Sequence, residues 1–251
     1  MGALTGLHVL NTRPTGQGEA LETALREAGA MVSHVPLIDI VPLPLTAADE
    51  RVLLDLDRFD GVFFVSANAA RLGLDAVAGC WPQWPYRLPV YAVGRGTAVV
   101  LERAGLTVTV PERADSEGLL SLPALQDIAG QRLLVFRGQG GRELLRETLQ
   151  ARGAEVMVIE LYRRELPAQA SRQWQALVAT PPRVVILTSP DALRHWQQVA
   201  GADALRLHWL VVSPRMRDAA LQAGATVTLS SGADTPSLRA ALQQLREQLA
   251  I

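Results

Sequence analysis

An internal repeat limits what this chain can fold into more than any other feature of its sequence. The segment Gly6-Leu7-His8-Val9-Leu10-Asn11-Thr12-Arg13 lies over Gly130-Gln131-Arg132-Leu133-Leu134-Val135-Phe136-Arg137 at an offset of 124 residues. The match continues with Gly16 over Gly140, Glu19 over Glu143, Leu25 over Leu149, Gly29-Ala30 over Gly153-Ala154 and Val32 over Val156. Small deletions then shift it, so that Val65-Ser66 meets Thr188-Ser189 at 123 and Val93-Gly94 meets Val212-Ser213 at 119, as does Gly105 with Gly224. An offset this steady implies a duplicated unit, and 251 residues suit two domains better than one core.

The repeated unit has a βα rhythm. Short apolar runs at 7–11, 31–35, 61–65, 90–93, 107–110, 132–136, 155–161, 184–187, 209–212 and 226–229 read as strands, mostly without polar alternation, as strands covered on both faces of a parallel sheet do. Helices are expected to start at Ser66-Ala67-Asn68 and Ser116-Glu117-Gly118 and at the three pairs Ser189-Pro190, Ser213-Pro214 and Thr235-Pro236, in each of which a hydroxyl caps free amides and proline takes the first helical position. Two divisions of the chain fit ten strands. A straight path gives 1–127 and 128–251, and an exchanged path gives 1–37 with 166–251 around a central 38–165. Pro36, Pro42 and Pro44 interrupt the first unit where a crossing would lie, which favours the exchanged path.

Composition removes whole classes of activity. The 24 basic side chains are all arginine, so Schiff-base, pyridoxal phosphate, P-loop and protein kinase chemistry lack the lysine they need. A formal charge of -1 gives no field to gather nucleic acid or anionic membrane. Cys80 is alone, and His8, His34, His195 and His208 have no metal-ligand spacing, so neither a disulfide nor a metal site is expected. The chain has no run of 18 apolar residues and no secretory leader pattern, and the cytoplasm is its expected location.

Parallel α/β sheets bind ligands beyond the carboxyl ends of their strands, where helix N-termini present free amides. The tracts placed there are Thr12-Arg13-Pro14-Thr15, Ser66-Ala67-Asn68, Gly94-Arg95-Gly96-Thr97, Arg137-Gly138-Gln139-Gly140-Gly141-Arg142, Thr188-Ser189 and Ser213-Pro214-Arg215. Hydroxyls, glycines and arginines of this kind grip anionic oxygens, and a plain helix cap uses the same residues. Neither Gly-rich tract completes a dinucleotide fingerprint, and no Gly-x-Ser-x-Gly elbow surrounds Ser66, Ser189 or Ser213. Tyr162 ends a strand beside Arg163 and Arg164, where its phenol can donate a proton or simply pack at a domain junction.

Taken in order from Val9 to about Leu245, these pieces resemble the uroporphyrinogen-III synthase family. The resemblance rests on Asn11-Thr12-Arg13-Pro14, Gly29 with Pro36-Leu37, Phe64-Val65-Ser66-Ala67-Asn68-Ala69, Ala92-Val93-Gly94 with Thr97-Ala98, and Ser116-Glu117-Gly118-Leu119-Leu120. It continues through Arg137-Gly138 with Gly141-Arg142, Glu160-Leu161-Tyr162-Arg163-Arg164, Leu187-Thr188-Ser189 and Val212-Ser213. It implies two similar α/β domains, each a five-stranded parallel sheet flanked by helices in a flavodoxin-like manner, joined by a two-strand connection with a cleft between them. It therefore points to the exchanged division, 1–37 plus 166–251 and 38–165.

The implied activity is a cofactor-free lyase reaction of tetrapyrrole and heme biosynthesis, in which linear hydroxymethylbilane, a substrate with eight carboxylates, closes to uroporphyrinogen III with loss of water and inversion of ring D. Carried over by motif, Tyr162 assists departure of the hydroxyl, while Ser66 and Thr97 line the cleft from the central domain. Ser189, Ser213, Arg13 and Arg137 follow as substrate contacts, the two repeat-equivalent arginines having an alternative role in fixing the duplicated turns. At Pro214-Arg215-Met216 the chain lacks a hydroxyl pair that some relatives carry. A monomer with mobile domains is expected, with no metal, nucleic acid or membrane partner; a transient contact with the preceding pathway enzyme is left open. Two rival readings remain beside it: a two-domain small-molecule binding or sensor protein without catalysis, and a nucleotide-dependent transferase.

Overall fold

Among the described residues there are eleven strands, ten from the apolar runs and β3 in addition: β1 (His8–Asn11), β2 (Met31–His34), β3 (Asp39–Pro42), β4 (Gly61–Phe64), β5 (Val90–Ala92), β6 (Val108–Thr109), β7 (Arg132–Gly138), β8 (Glu155–Glu165), β9 (Val184–Leu187), β10 (His208–Val211) and β11 (Val227–Leu229). The structure is a computed structural model and describes residues 2–141 and 143–249. By its internal contacts the chain divides into two compact units, Met1–Asp39 with Arg164–Ile251, and Ile40–Arg163. The chain passes from one to the other twice, at the start of β3 and near the end of β8.

The outer unit holds a sheet in the order β11-β10-β9-β1-β2, every neighbouring pair parallel. The central unit holds β3-β8-β7-β4-β5-β6, parallel from β8 to β6. Repeat-equivalent ladders share one register. Leu10 faces Ser33 in one unit as Leu134 faces Met157 in the other, Val9 faces Val184 as Leu133 faces Gly61, and Trp209 faces Val227 as Val90 faces Val108. Backbone shape repeats as well. Among the described residues nine glycines have positive φ, and eight of them form the repeat pairs Gly6 with Gly130, Gly16 with Gly140, Gly29 with Gly153 and Gly105 with Gly224. Leaving β3 aside, each sheet therefore takes two strands from one copy of the repeat and three from the other.

Two expectations need correction. Five strands per unit hold for the outer unit only, because β3 adds a sixth at the edge of the central sheet. Asp39-Ile40-Val41-Pro42 has prolines within and beside it, and a proline is tolerated at an edge because no neighbour there needs its missing amide. Flavodoxin-like strand connectivity also fits only the outer unit, whose strands run 2-1-3-4-5 in the unit's own chain order. The central unit reaches the same spatial arrangement from a chain that begins with β4 in the middle, which makes its order 3-2-1-4-5 apart from the added edge.

Both faces of each sheet are covered. In the outer unit Leu21 and Leu25 of one helix and Leu238, Leu242 and Leu245 of another close over Val9, Val184, Ile186 and Leu210. In the central unit Phe64 and Phe136 stack at 5.0 Å on one face, while Phe63 and Tyr91 stack at 4.7 Å on the other. Two helix starts lie one residue earlier than expected, at Asp115 rather than Ser116 and at Asp234 rather than Thr235. In both the carboxylate, a charged and stronger acceptor, takes the amide three residues on.

Candidate active site

The end of β4 brings two of the expected site residues together. After Phe64 the chain stays extended through Ser66 (φ -165°, ψ 161°) and turns into the helix Ala67–Ala78. Ser66 Oγ accepts the Ala69 amide at 3.0 Å, so it caps that helix. The same oxygen lies 3.0 Å from the Tyr162 phenol oxygen, joining residues 96 positions apart. Tyr162 comes from β8, two strands away, with β7 between. A shift in the ladder between Arg137 and Gly138 sets Gly138 opposite Tyr162, and the Gln139 amide donates to the Tyr162 carbonyl at 2.7 Å. The ring lies directly on Gly138, where a Cβ would stand 2.5 Å from Tyr162 Cζ and 2.9 Å from its oxygen. Tyr162 is only 1 % exposed and packs into the central core with Leu161, Ile159 and Phe136. Ser66 is half-buried and stands at the rim.

The next strand end carries Gly94-Arg95-Gly96-Thr97. Gly94 caps the helix Arg95–Arg103, and Thr97 lies buried in its first turn. Arg95 points along the helix and forks onto Glu102 at 2.6 and 2.7 Å. At the end of β7 the Arg137 guanidinium is shared between Glu143 at 2.7 Å and Glu160 at 2.9 Å. Burial works against its charge, but the two carboxylates outweigh it and hold the guanidinium above its ordinary pKa. In return the bond from Arg137 holds the Glu143 carboxyl below the usual range. Arg142, the last residue of that tract, lies outside the described residues.

In the outer unit Ser189 and Ser213 sit beyond β9 and β10 as caps of the helices Pro190–Ala200 and Pro214–Gln222, accepting the amides of Ala192 at 3.1 Å and Met216 at 3.3 Å. Arg13 donates to the Ala233 carbonyl. Burial lowers the Arg13 pKa, with Asp234 opposing the shift. Arg13 and Arg137 thus each tie a turn of their own unit to a neighbouring loop or strand.

Sequence reasoning missed the polar strut beneath Arg13. Asn11, fully buried, donates to Glu22 Oε1 at 2.9 Å and accepts the Arg13 amide at 3.2 Å. Glu22 also accepts from Arg26 at 2.9 Å, His34 donates to the Arg13 carbonyl at 2.8 Å, and Thr12 donates to the Ile186 carbonyl at 2.6 Å. A polar pair, Asn11-Thr12, closing an otherwise apolar run was the available signal.

Of the expected site residues, Ser66 and Tyr162 are brought into a direct bond. Thr97 shares their sheet edge in the central unit, whereas Ser189, Ser213 and Arg13 share the corresponding edge in the outer one. The helices Ala67–Ala78, Arg95–Arg103, Pro190–Ala200 and Pro214–Gln222 open on these edges beside those residues. Among the described residues no three His, Cys, Asp or Glu side chains gather as metal ligands, and no helix is long and apolar enough to cross a membrane. A separate open pocket of about 520 Å³, walled by Trp81, Trp84 and Tyr86, lies on the loop entering β5, at the opposite edge of the central sheet.

Comparison with known proteins follows the same lines. The family model described as uroporphyrinogen-III synthase HemD matches residues 19–240. The chain is 38 % identical to uroporphyrinogen-III synthase of Escherichia coli K12 over 94 % of its length and 100 % of that protein, and 37 % identical to that of Salmonella typhimurium with the same coverage. In fold it resembles a uroporphyrinogen III synthase variant of Thermus thermophilus, with TM-score 0.68 and 19 % identity over 98 % of this chain and 99 % of that one. It also resembles the Helicobacter pylori uroporphyrinogen-III synthetase, with TM-score 0.64 and 16 % identity over 97 % and 99 %. The chain belongs to the uroporphyrinogen-III synthase family.

Proposed function

We propose that this protein closes linear hydroxymethylbilane to uroporphyrinogen III, with loss of water and inversion of ring D, and that it does so as a lyase without a cofactor. The Tyr162 phenol held 3.0 Å from Ser66 at a helix N-terminus carries this reading, in a chain that belongs to this family. Departure of hydroxide from ring A needs a proton, and a phenol bonded to a rim hydroxyl supplies one. The electrons come from the pyrroles themselves, first to form the azafulvene and then, as the substituted carbon of ring D attacks, the spiro intermediate. Orientation is the remaining task, and eight substrate carboxylates offer many points at which to fix it.

The groups that hold those carboxylates are the free amides of the four helix starts together with Thr97, Ser189 and Ser213, while Ser66 is read as facing the reacting ring. Arg13 and Arg137 serve the turns, since their guanidiniums already have partners within the protein. The protein is read as a monomer, and fixing ring D against direct closure to the type I isomer is the task those groups share.

The test is incubation with freshly generated hydroxymethylbilane and separation of the isomers after oxidation. Type III in excess of a protein-free control is expected, and type I alone would overturn the reading. Tyr162→Phe is expected to slow turnover by about 10- to 100-fold without abolishing it, since positioning survives; complete loss in a folded variant would contradict this division of labour.

A further inference from the structure

Tyr162 and Ser66 differ in what they can reach. The phenol is sealed in the central core, while the serine bonded to it stands at the rim. A hydroxyl has one proton and two lone pairs. One Ser66 lone pair accepts the Ala69 amide. If the second accepts the Tyr162 proton, the Ser66 proton is left pointing away from both, toward the strand-end edge.

We propose that Ser66 is the group that touches the departing hydroxyl, and that Tyr162 acts through it as the proton source behind. This inference rests on the function proposed above and assigns its acid step. In that step the bond between the hydroxymethyl carbon and its oxygen breaks, with the electron pair leaving on oxygen. The Ser66 proton moves to that oxygen and completes a water molecule, while the Tyr162 proton moves to Ser66 Oγ. The pyrrole nitrogen pair fills the vacated carbon as the azafulvene forms. Tyr162, left as phenolate, is reprotonated by the proton the macrocycle sheds when its last pyrrole becomes aromatic again. Ser66 is then a catalytic residue, and Gly138, on which the ring lies, is a positioning residue.

A double-mutant cycle on the single-turnover rate separates a relay from two independent groups. Tyr162→Phe and Ser66→Ala are each expected to lower that rate by about 10- to 100-fold, and the double variant by no more than the worse single. Multiplying losses would overturn the proposal. Ser66→Ala also removes a helix cap, so two controls accompany it. Ser66→Thr keeps both hydroxyl and cap and is expected to recover most of the rate. Thr46→Ala removes the cap of the helix Ala47–Leu54 in the same unit and is expected to lower the melting temperature while leaving the rate within about twofold.

In mixed light and heavy water the wild-type rate is expected to bow with deuterium fraction, as two protons in flight require, and the Tyr162→Phe rate to fall linearly. A linear wild-type response would also overturn the relay. Type III product together with independent losses removes the relay and leaves the function standing; type I product alone from the wild type removes the function itself.

Discussion

The outer and central units are built on the same ladders in the same register, yet the ends of their first repeat strands are filled with opposite chemistry. Shifted by 124 residues, Asn11, Thr12 and His34 fall on Val135, Phe136 and Val158. Where the outer unit buries a hydrogen-bonded strut, the central unit buries Phe136 stacked on Phe64 and places a phenol against it. The two duplicated scaffolds thus keep their backbone while their interiors diverge, and Tyr162, the proposed acid, belongs to the unit with the apolar interior. A buried setting suits that group, because a proton donor shielded from water keeps its bond to Ser66 instead of exchanging with solvent.

Substitution at the equivalent positions breaks this comparison most strongly. Phe136→Ala is expected to cost about 3–5 kcal/mol through the cavity it leaves, whereas Thr12→Ala costs about 1–2 kcal/mol through one lost hydrogen bond. Equal losses in denaturant unfolding would mean that the two strand ends are not the opposites they look. Asn11→Ala is expected to cost about 1–3 kcal/mol, because it strands Glu22 Oε1 and the Arg13 amide together.

Gly138→Ala acts on function as well as on stability. Its methyl would collide with the Tyr162 ring, so the phenol must leave Ser66, and a rate about tenfold lower is expected, equivalent to about 1.4 kcal/mol. An unchanged rate would show that the pairing is dispensable.

The smallest expected effect separates the units by pH. All four histidines belong to the outer unit, and burial lowers the pKa of His8 and His208. The unfolded chain takes up protons first, near the ordinary value of 6.5, so the stability held by the neutral rings is full above that value and declines as the pH falls below it. Melting from about pH 7.5 to about pH 5.5 is expected to lower the transition of the outer unit, and His8→Gln with His208→Gln to flatten that dependence.

Much of the scaffold was legible because buried parallel strands are written as apolar runs and because the repeat carries its turn glycines with it. The edge strand β3 was not, since Asp39-Ile40-Val41-Pro42 is short, partly exposed and flanked by proline. Asp115 and Asp234 were passed over as caps because a hydroxyl followed each of them. Ser66 and Tyr162 were each singled out, but no local pattern announces a bond between residues 96 apart; it depends on which strand the central sheet places between them. Arg13 and Arg137 read as anion grips for a similar reason, because their protein partners Ala233 and Glu160 are distant in sequence.

The account turns on where the tetrapyrrole lies. A crystal structure with substrate or product bound is expected to show the reacting ring nearest Ser66, with its departing oxygen within hydrogen-bond distance of Ser66 Oγ, and a carboxylate within hydrogen-bond distance of Thr97. Density confined to the Trp81–Trp84 pocket, or away from Ser66, would contradict it.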